Sequence, residues 1–174
     1  MPQKENTKRW YVAYTYPNAE KKALQSLNRI GVTAYLPLQK VTRKWSDRMK
    51  QLELPLFSNY IFIKTSPVEL HYPLQVKQLI SYVTFEGKAA FVSDKLVETL
   101  RRITELGLQV SDESIYTTGT LVRISDGPFE GIEGVVLRQN GKTKLVVRIE
   151  AMRRSVSVEI GVEKVNLIHT VQSF

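Results

Sequence analysis

Between Val122 and Val136 two apolar-alternating runs flank Ser125-Asp126-Gly127-Pro128-Phe129-Glu130-Gly131, a segment built for a tight reversal of the chain. Glycines at 127, 131 and 134 permit positive φ or a close backbone approach, Pro128 fixes one dihedral, and Phe129 supplies a ring at the turn. The pattern predicts a β-hairpin. A hairpin alone is marginal in water and needs further strands. Short strand-like runs near 120–125, 133–138, 144–149, 155–160 and 164–168, separated by Gly or Asn turns, supply them. The C-terminal third therefore reads as a small β-barrel.

The rest of the chain has a different rhythm. Trp10–Tyr16 is dense in aromatic and β-branched residues and reads as a strand, stopped at Pro17-Asn18, with Asn18 as the expected helix N-cap. Ala23, Leu24, Leu27 and Ile30 then recur on one helical face, with Lys21, Lys22, Gln25 and Arg29 opposite and Gly31 at the end. Val32–Pro37 suggests a second strand, and the basic run Lys40–Lys50 a hairpin. Leu56–Ile63 is apolar on both faces and is expected at the centre of its sheet. A short helix broken near Pro73, a hairpin turning at Glu86-Gly87 and a helix capped by Ser93 and closed by Gly107 follow. Residues 107–119 are polar and read as a linker. The expected architecture is α+β, an N-terminal α/β sandwich over 8–107, a linker over 108–118 and a barrel over 119–174.

Composition narrows the function. The chain has no cysteine and only two histidines, His71 and His169, far apart, which excludes thiolate chemistry and a multi-histidine metal site. No nucleophile elbow, glycine-rich phosphate loop or acid pair beside a histidine is present, so a non-enzyme without cofactor is expected. No run of about 18 apolar residues occurs, and the polar opening Met1–Arg9 lacks the apolar core of a signal peptide. A cytoplasmic protein without membrane contact, monomeric, is expected. Residues 1–110 hold 17 Lys or Arg against 9 Asp or Glu, whereas residues 111–174 hold 8 of each. All of the net charge of +8 thus lies in the N-terminal part, as contact with a polyanion by one part alone would require.

The order of residues in 122–136 resembles the KOW motif of SH3-like barrels in ribosomal proteins and NusG-type elongation factors. Trp10-Tyr11-Val12, Glu20-Lys21-Lys22 and Leu56-Phe57-Ser58-Asn59-Tyr60-Ile61-Phe62, with the C-terminal KOW run, extend the resemblance to the NusG family over nearly the whole chain. Ser58-Asn59 stands where housekeeping members carry Pro-Gly, and the string is closer to the Leu-Phe-Pro-Asn-Tyr-Leu-Phe of the specialised paralogue RfaH, with similar variation in the UpxY antiterminators. The resemblance implies an N-terminal NusG-like domain joined to a KOW barrel.

It also implies sites. Trp10, Tyr14, Phe57, Tyr60 and Phe62 match strand residues that help form a hydrophobic cavity for the clamp helices of the largest subunit of RNA polymerase. Alternation places Tyr60 and Phe62 on one face and Phe57, Ile61 and Ile63 on the other. Tyr14, Tyr60 and Phe62 are therefore assigned to the interface, Trp10 mainly to structure, and Phe57 to either. Lys21, Lys22 and Arg29, with Arg43 and Lys44 of the hairpin, are candidate contacts to non-template DNA or nascent RNA, against the alternative of a solvated basic face. Trp45, set among cations, either stacks on an unpaired base or pins the hairpin to its own domain, and the second is preferred. His71 matches one residue of a paralogue segment that contacts the far side of the polymerase cleft, and is read as a surface histidine. The turn Ile149–Ser155 lacks the Phe-Gly-Arg with which housekeeping members bind ribosomal protein S10 or Rho, leaving Met152 as its apolar residue.

The expected function is transcription elongation and antitermination, operon-specific. The alternatives are a ribosome-associated RNA-binding KOW protein, which the neutral charge of residues 111–174 disfavours, and a housekeeping factor working with Rho.

Overall fold

The computed structural model describes residues 6–107, 110–114, 120–124, 130–139, 142–160 and 167–171. It is a mixed α/β structure of antiparallel sheets with few helices, clustering into two units, Met1–Glu98 and Thr99–Phe174.

In the first unit β1 (Arg9–Thr15) is the hub. It pairs antiparallel with β5 (Tyr60–Thr65) along Arg9↔Thr65 to Tyr14↔Tyr60, and on its other side with β6 (Leu79–Tyr82) and β9 (Phe91–Val92). β2 (Thr33–Tyr35) completes the order β2-β5-β1-β6. β5 is therefore interior, as its two apolar faces require. It begins at Tyr60, not Leu56, because Asn59 adopts a left-handed φ of +69° and the chain turns there. Phe57 lies in that turn rather than on the strand.

α1 (Glu20–Arg29) packs Ala23 and Leu27 onto Tyr11, Ala13, Ile61 and Ile63, one face of the sheet. Asn18 does not cap it. Asn18 sits at φ +59°, and Ala19 occupies the cap position without a side-chain bond. Gly31 leaves the helix at φ +75°. β3 (Leu38–Lys44) and β4 (Met49–Pro55) form a separate two-stranded ribbon. β7 (Thr84–Phe85) and β8 (Lys88–Ala89) pair across Glu86-Gly87, both at positive φ, the conformation such a tight hairpin demands. The segment around Pro73 is two single 3-10 turns, Pro67–Glu69 and Pro73–Gln75. α2 (Asp94–Glu105) starts at Ser93, whose Oγ accepts from the Leu96 N–H at 3.2 Å, and buries Val97, Leu100 and Ile103. Leu106 is exposed beyond the helix end.

In the second unit β10 (Val110–Ser114), β11 (Thr120–Ile124), β12 (Glu133–Gln139), β13 (Lys142–Ile149), β14 (Arg154–Ile160) and β15 (Leu167–Val171) form one antiparallel sheet, ordered β10-β14-β13-β12-β11-β15. The hairpin predicted at 122–136 is present, with Val122↔Gly134 and Arg123↔Glu133. Its residues 125–129, including Gly127, Pro128 and Phe129, lie outside the described residues. Gly131 has φ +76°, and a Cβ on Gly134 would lie 2.5 Å from the Val146 carbonyl oxygen, so these two glycines meet the two requirements read from the sequence. Among the described residues the sheet does not close into a barrel: β10 and β15 are its two ends. β10 lies where the sequence reads as linker. Its backbone pairs with β14 along an edge, which needs no alternation of apolar side chains.

Candidate functional site

The register of β1 and β5 sorts the aromatic residues by face. Tyr14 and Tyr60 are direct cross-strand partners, half-buried, with ring centroids 5.1 Å apart and planes tilted by 42°. Val12↔Phe62 and Trp10↔Lys64 continue the same face along the two strands. Phe62 has no exposed surface and meets Tyr35 at 6.1 Å. Phe57, in its turn, is buried as well. Of the five aromatic candidates, Tyr14 and Tyr60 keep part of their surface exposed, whereas Trp10, Phe57 and Phe62 are buried.

Trp10 is fixed by a polar anchor. Its indole Nε1 donates to Asp94 Oδ1 at 3.0 Å, and Lys64 Nζ, 5.5 Å from the ring centroid, donates to the same oxygen at 2.6 Å. The bond from Lys64 holds the Asp94 carboxyl below its ordinary value, with the charge of Lys64 and the bond from Trp10 acting in the same direction and desolvation opposing them. On the α1 side of the sheet, burial raises the Tyr82 phenol well above its ordinary value, and Tyr11 beside it adds to the shift.

The turn that presents Tyr60 is tied at both ends of one residue. The Asn59 N–H donates to Glu20 Oε1 at 2.7 Å, and the Asn59 carbonyl accepts from the Thr15 N–H at 2.9 Å. Glu20 is a buried carboxylate on the first turn of α1. Its role escapes sequence reasoning, because 39 residues separate it from its partner and its place in the chain reads as an ordinary acidic helix start.

The cations fall into two groups. Lys21, Lys22 and Arg29 are exposed on α1, and Arg43 and Lys44 are exposed on β3, together with Lys40, Arg48 and Lys50 of the ribbon. Trp45 does not pin the ribbon to its domain: half its surface is exposed. His71 is exposed. Met152 is buried in a 3-10 turn, Glu150–Met152, so it is not offered to a partner at the Ile149–Ser155 turn. Among the described residues no group of acidic or histidine side chains is arranged to hold a metal ion, and no helix is long and apolar enough to cross a membrane.

Residues 8–101, more than half of the chain, match the family described as "Transcription termination factor nusG". The chain belongs to the NusG family. Curated NusG relatives, each described as "Transcription termination/antitermination protein NusG", align along nearly their whole length. The one from Pseudomonas aeruginosa is 27% identical, over 92% of this chain and 99% of the relative. That of Buchnera aphidicola is 25% identical over 91% and 95%, and that of Escherichia coli K12 23% over the same shares. A solved structure of Thermotoga maritima NusG, described by its domain interaction, shares the fold at TM-score 0.54 and 22% identity, covering 94% of this chain and 98% of that one. NusG-family proteins are transcription factors rather than enzymes.

Proposed function

We propose that this NusG-family chain binds elongating RNA polymerase and promotes processivity and antitermination at particular operons. The observation that carries the reading is the half-buried Tyr14–Tyr60 pair, flanked on its face of the sheet by the buried Val12↔Phe62 pair and placed next to the Glu20–Asn59 clasp. A rigid aromatic pair at a surface is what a small hot spot needs, since a few well-packed rings supply most of an interface's energy. The proposed occupant is the clamp helices of the largest polymerase subunit. Trp10, Phe57 and Phe62, which are buried, contribute to the site as packing around the pair.

Lys21, Lys22 and Arg29 from α1, with Arg43 and Lys44 from the ribbon, contact phosphates of non-template DNA or nascent RNA beside the polymerase. Such contacts add affinity without reading sequence. A factor holding the clamp closed opposes pausing and termination only by binding that state more tightly than the open one. Residues 8–107 form the polymerase-binding domain. The segment 108–118, which contains β10, joins it to a KOW domain over 119–174, whose five strands β11–β15 are read as an SH3-like barrel.

Asn59 supports the specialised subtype. Its left-handed φ is what the Gly of Pro-Gly would supply, so Ser58-Asn59 keeps the turn while changing its chemistry. Transcription through an intrinsic terminator by purified polymerase tests the function. Added protein is expected to raise read-through on templates from its own operon and not on unrelated ones. Unchanged read-through on both overturns the reading.

A further inference from the structure

The β3–β4 ribbon is two-stranded and exposed along its outer half, with every residue from Thr42 to Gln51 at the surface. Its register runs from Leu38↔Pro55 to Lys44↔Met49, and the Trp45 N–H then donates to the Arg48 carbonyl at 2.8 Å, closing the tip over Ser46-Asp47. Because successive strand residues point to opposite faces, this register divides the cations. Lys40 and Lys44 fall on one face with Glu53 and Met49. Arg43 and its partner Lys50 fall on the other, next to the Trp45 and Arg48 pair. The 4.9 Å approach of Lys50 Nζ to the centroid of the Trp45 ring confirms that these two share a face.

We propose that this face of the ribbon tip is a base-stacking site for single-stranded nucleic acid. Trp45 is the platform, and Arg43, Arg48 and Lys50 take the flanking phosphates. An indole left half-exposed on a projecting ribbon forgoes packing that the other tryptophan, Trp10, obtains in full. A cation beside the ring orients it and sets positive charge where the backbone of a stacked nucleotide would pass. Four cations between Arg43 and Lys50, three of them on the Trp45 face, against the single acid Asp47 give the tip the sign a polyanion requires. Duplex bases are already stacked and present no free face, which makes an unpaired strand the ligand.

The inference deepens the assignment of Arg43 to phosphate contact and rests on it. It is tested on the full chain by fluorescence anisotropy with labelled mixed-sequence oligonucleotides of about 15 nucleotides, as single-stranded DNA, single-stranded RNA and duplex DNA. Trp45→Ala is expected to weaken single-strand binding by about tenfold or more, with Trp45→Phe retaining most of it. The duplex is expected to bind more weakly than either single strand and to be insensitive to Trp45→Ala. The double variant Arg43→Gln and Lys44→Gln is expected to flatten the salt dependence. Tighter binding of DNA or of RNA identifies the strand, and the site stands in both cases. Wild-type binding by Trp45→Ala, with weakening by the double variant, overturns the stacking site and leaves the phosphate contacts. No effect of either overturns both.

Discussion

The Glu20 carboxylate accepts the Asn59 backbone N–H at 2.7 Å, tying the start of α1 to the turn before β5 across 39 residues of chain. The bond holds a left-handed residue in place directly before Tyr60, so an acid on the helix sets where an aromatic ring on the sheet emerges. Glu20→Ala leaves the amide without its acceptor in a part-buried site and is expected to destabilise the protein by about 1–3 kcal/mol. Glu20→Gln keeps a carbonyl oxygen in reach and is expected to lose clearly less. Urea unfolding of the two variants decides; equal losses would mean the charge, not the hydrogen bond, matters.

Asn59 itself is constrained by backbone shape. At φ +69° a glycine is at ease and a β-branched residue is strained. Asn59→Gly is expected to unfold within about 0.5 kcal/mol of wild type, and Asn59→Val to lose about 1–3 kcal/mol, by the same measurement.

Gly134 is limited by space rather than by φ. An added Cβ would stand 2.5 Å from the Val146 carbonyl oxygen and 3.0 Å from Leu145 Cδ1. The first is backbone within the β12–β13 ladder and cannot swing aside. Gly134→Ala is expected to cost about 1–3 kcal/mol and to speed amide exchange across β12 and β13. Unaltered exchange there would show that the ladder yields at no cost.

Asp94 predicts a pH dependence. Its folded value lies below the ordinary 3.8, so its contribution is complete above the unfolded value and is lost as pH falls through the folded one. Because the group is largely exposed, the effect is small and screened by salt. Asp94→Asn is expected to remove this acid-side loss and to shift Trp10 fluorescence, as the indole N–H changes acceptor. Equal slopes of stability against pH below about 4 in both proteins would refute the assignment.

How far these features could be read in the sequence depends on the range of the interactions. Elements set by local chemistry were legible: the opening strand, α1 with its glycine exit, the Glu86-Gly87 hairpin, the Ser93 cap and the hairpin over 122–136. Elements set by a partner distant in the chain were not. The strand at Val110–Ser114 exists through its pairing with β14, and its own side chains carry no period-2 signal. Alternation put Tyr60 and Phe62 on one face correctly, yet could not show that one reaches solvent and the other is sealed, since depth within a sheet depends on what packs above it. Phe57 left the strand because Asn59 bends the chain, a backbone conformation to which Asn is only permissive.

The most direct test of the central claim is the affinity of purified RNA polymerase for the wild-type chain and for Tyr60→Ala, with folding of the variant checked by circular dichroism. A half-buried ring lost from the centre of a hot spot is expected to lower affinity by about 2 kcal/mol, roughly thirtyfold, with the fold intact. Equal affinity of the two proteins would contradict the assignment of the Tyr14–Tyr60 surface to the polymerase.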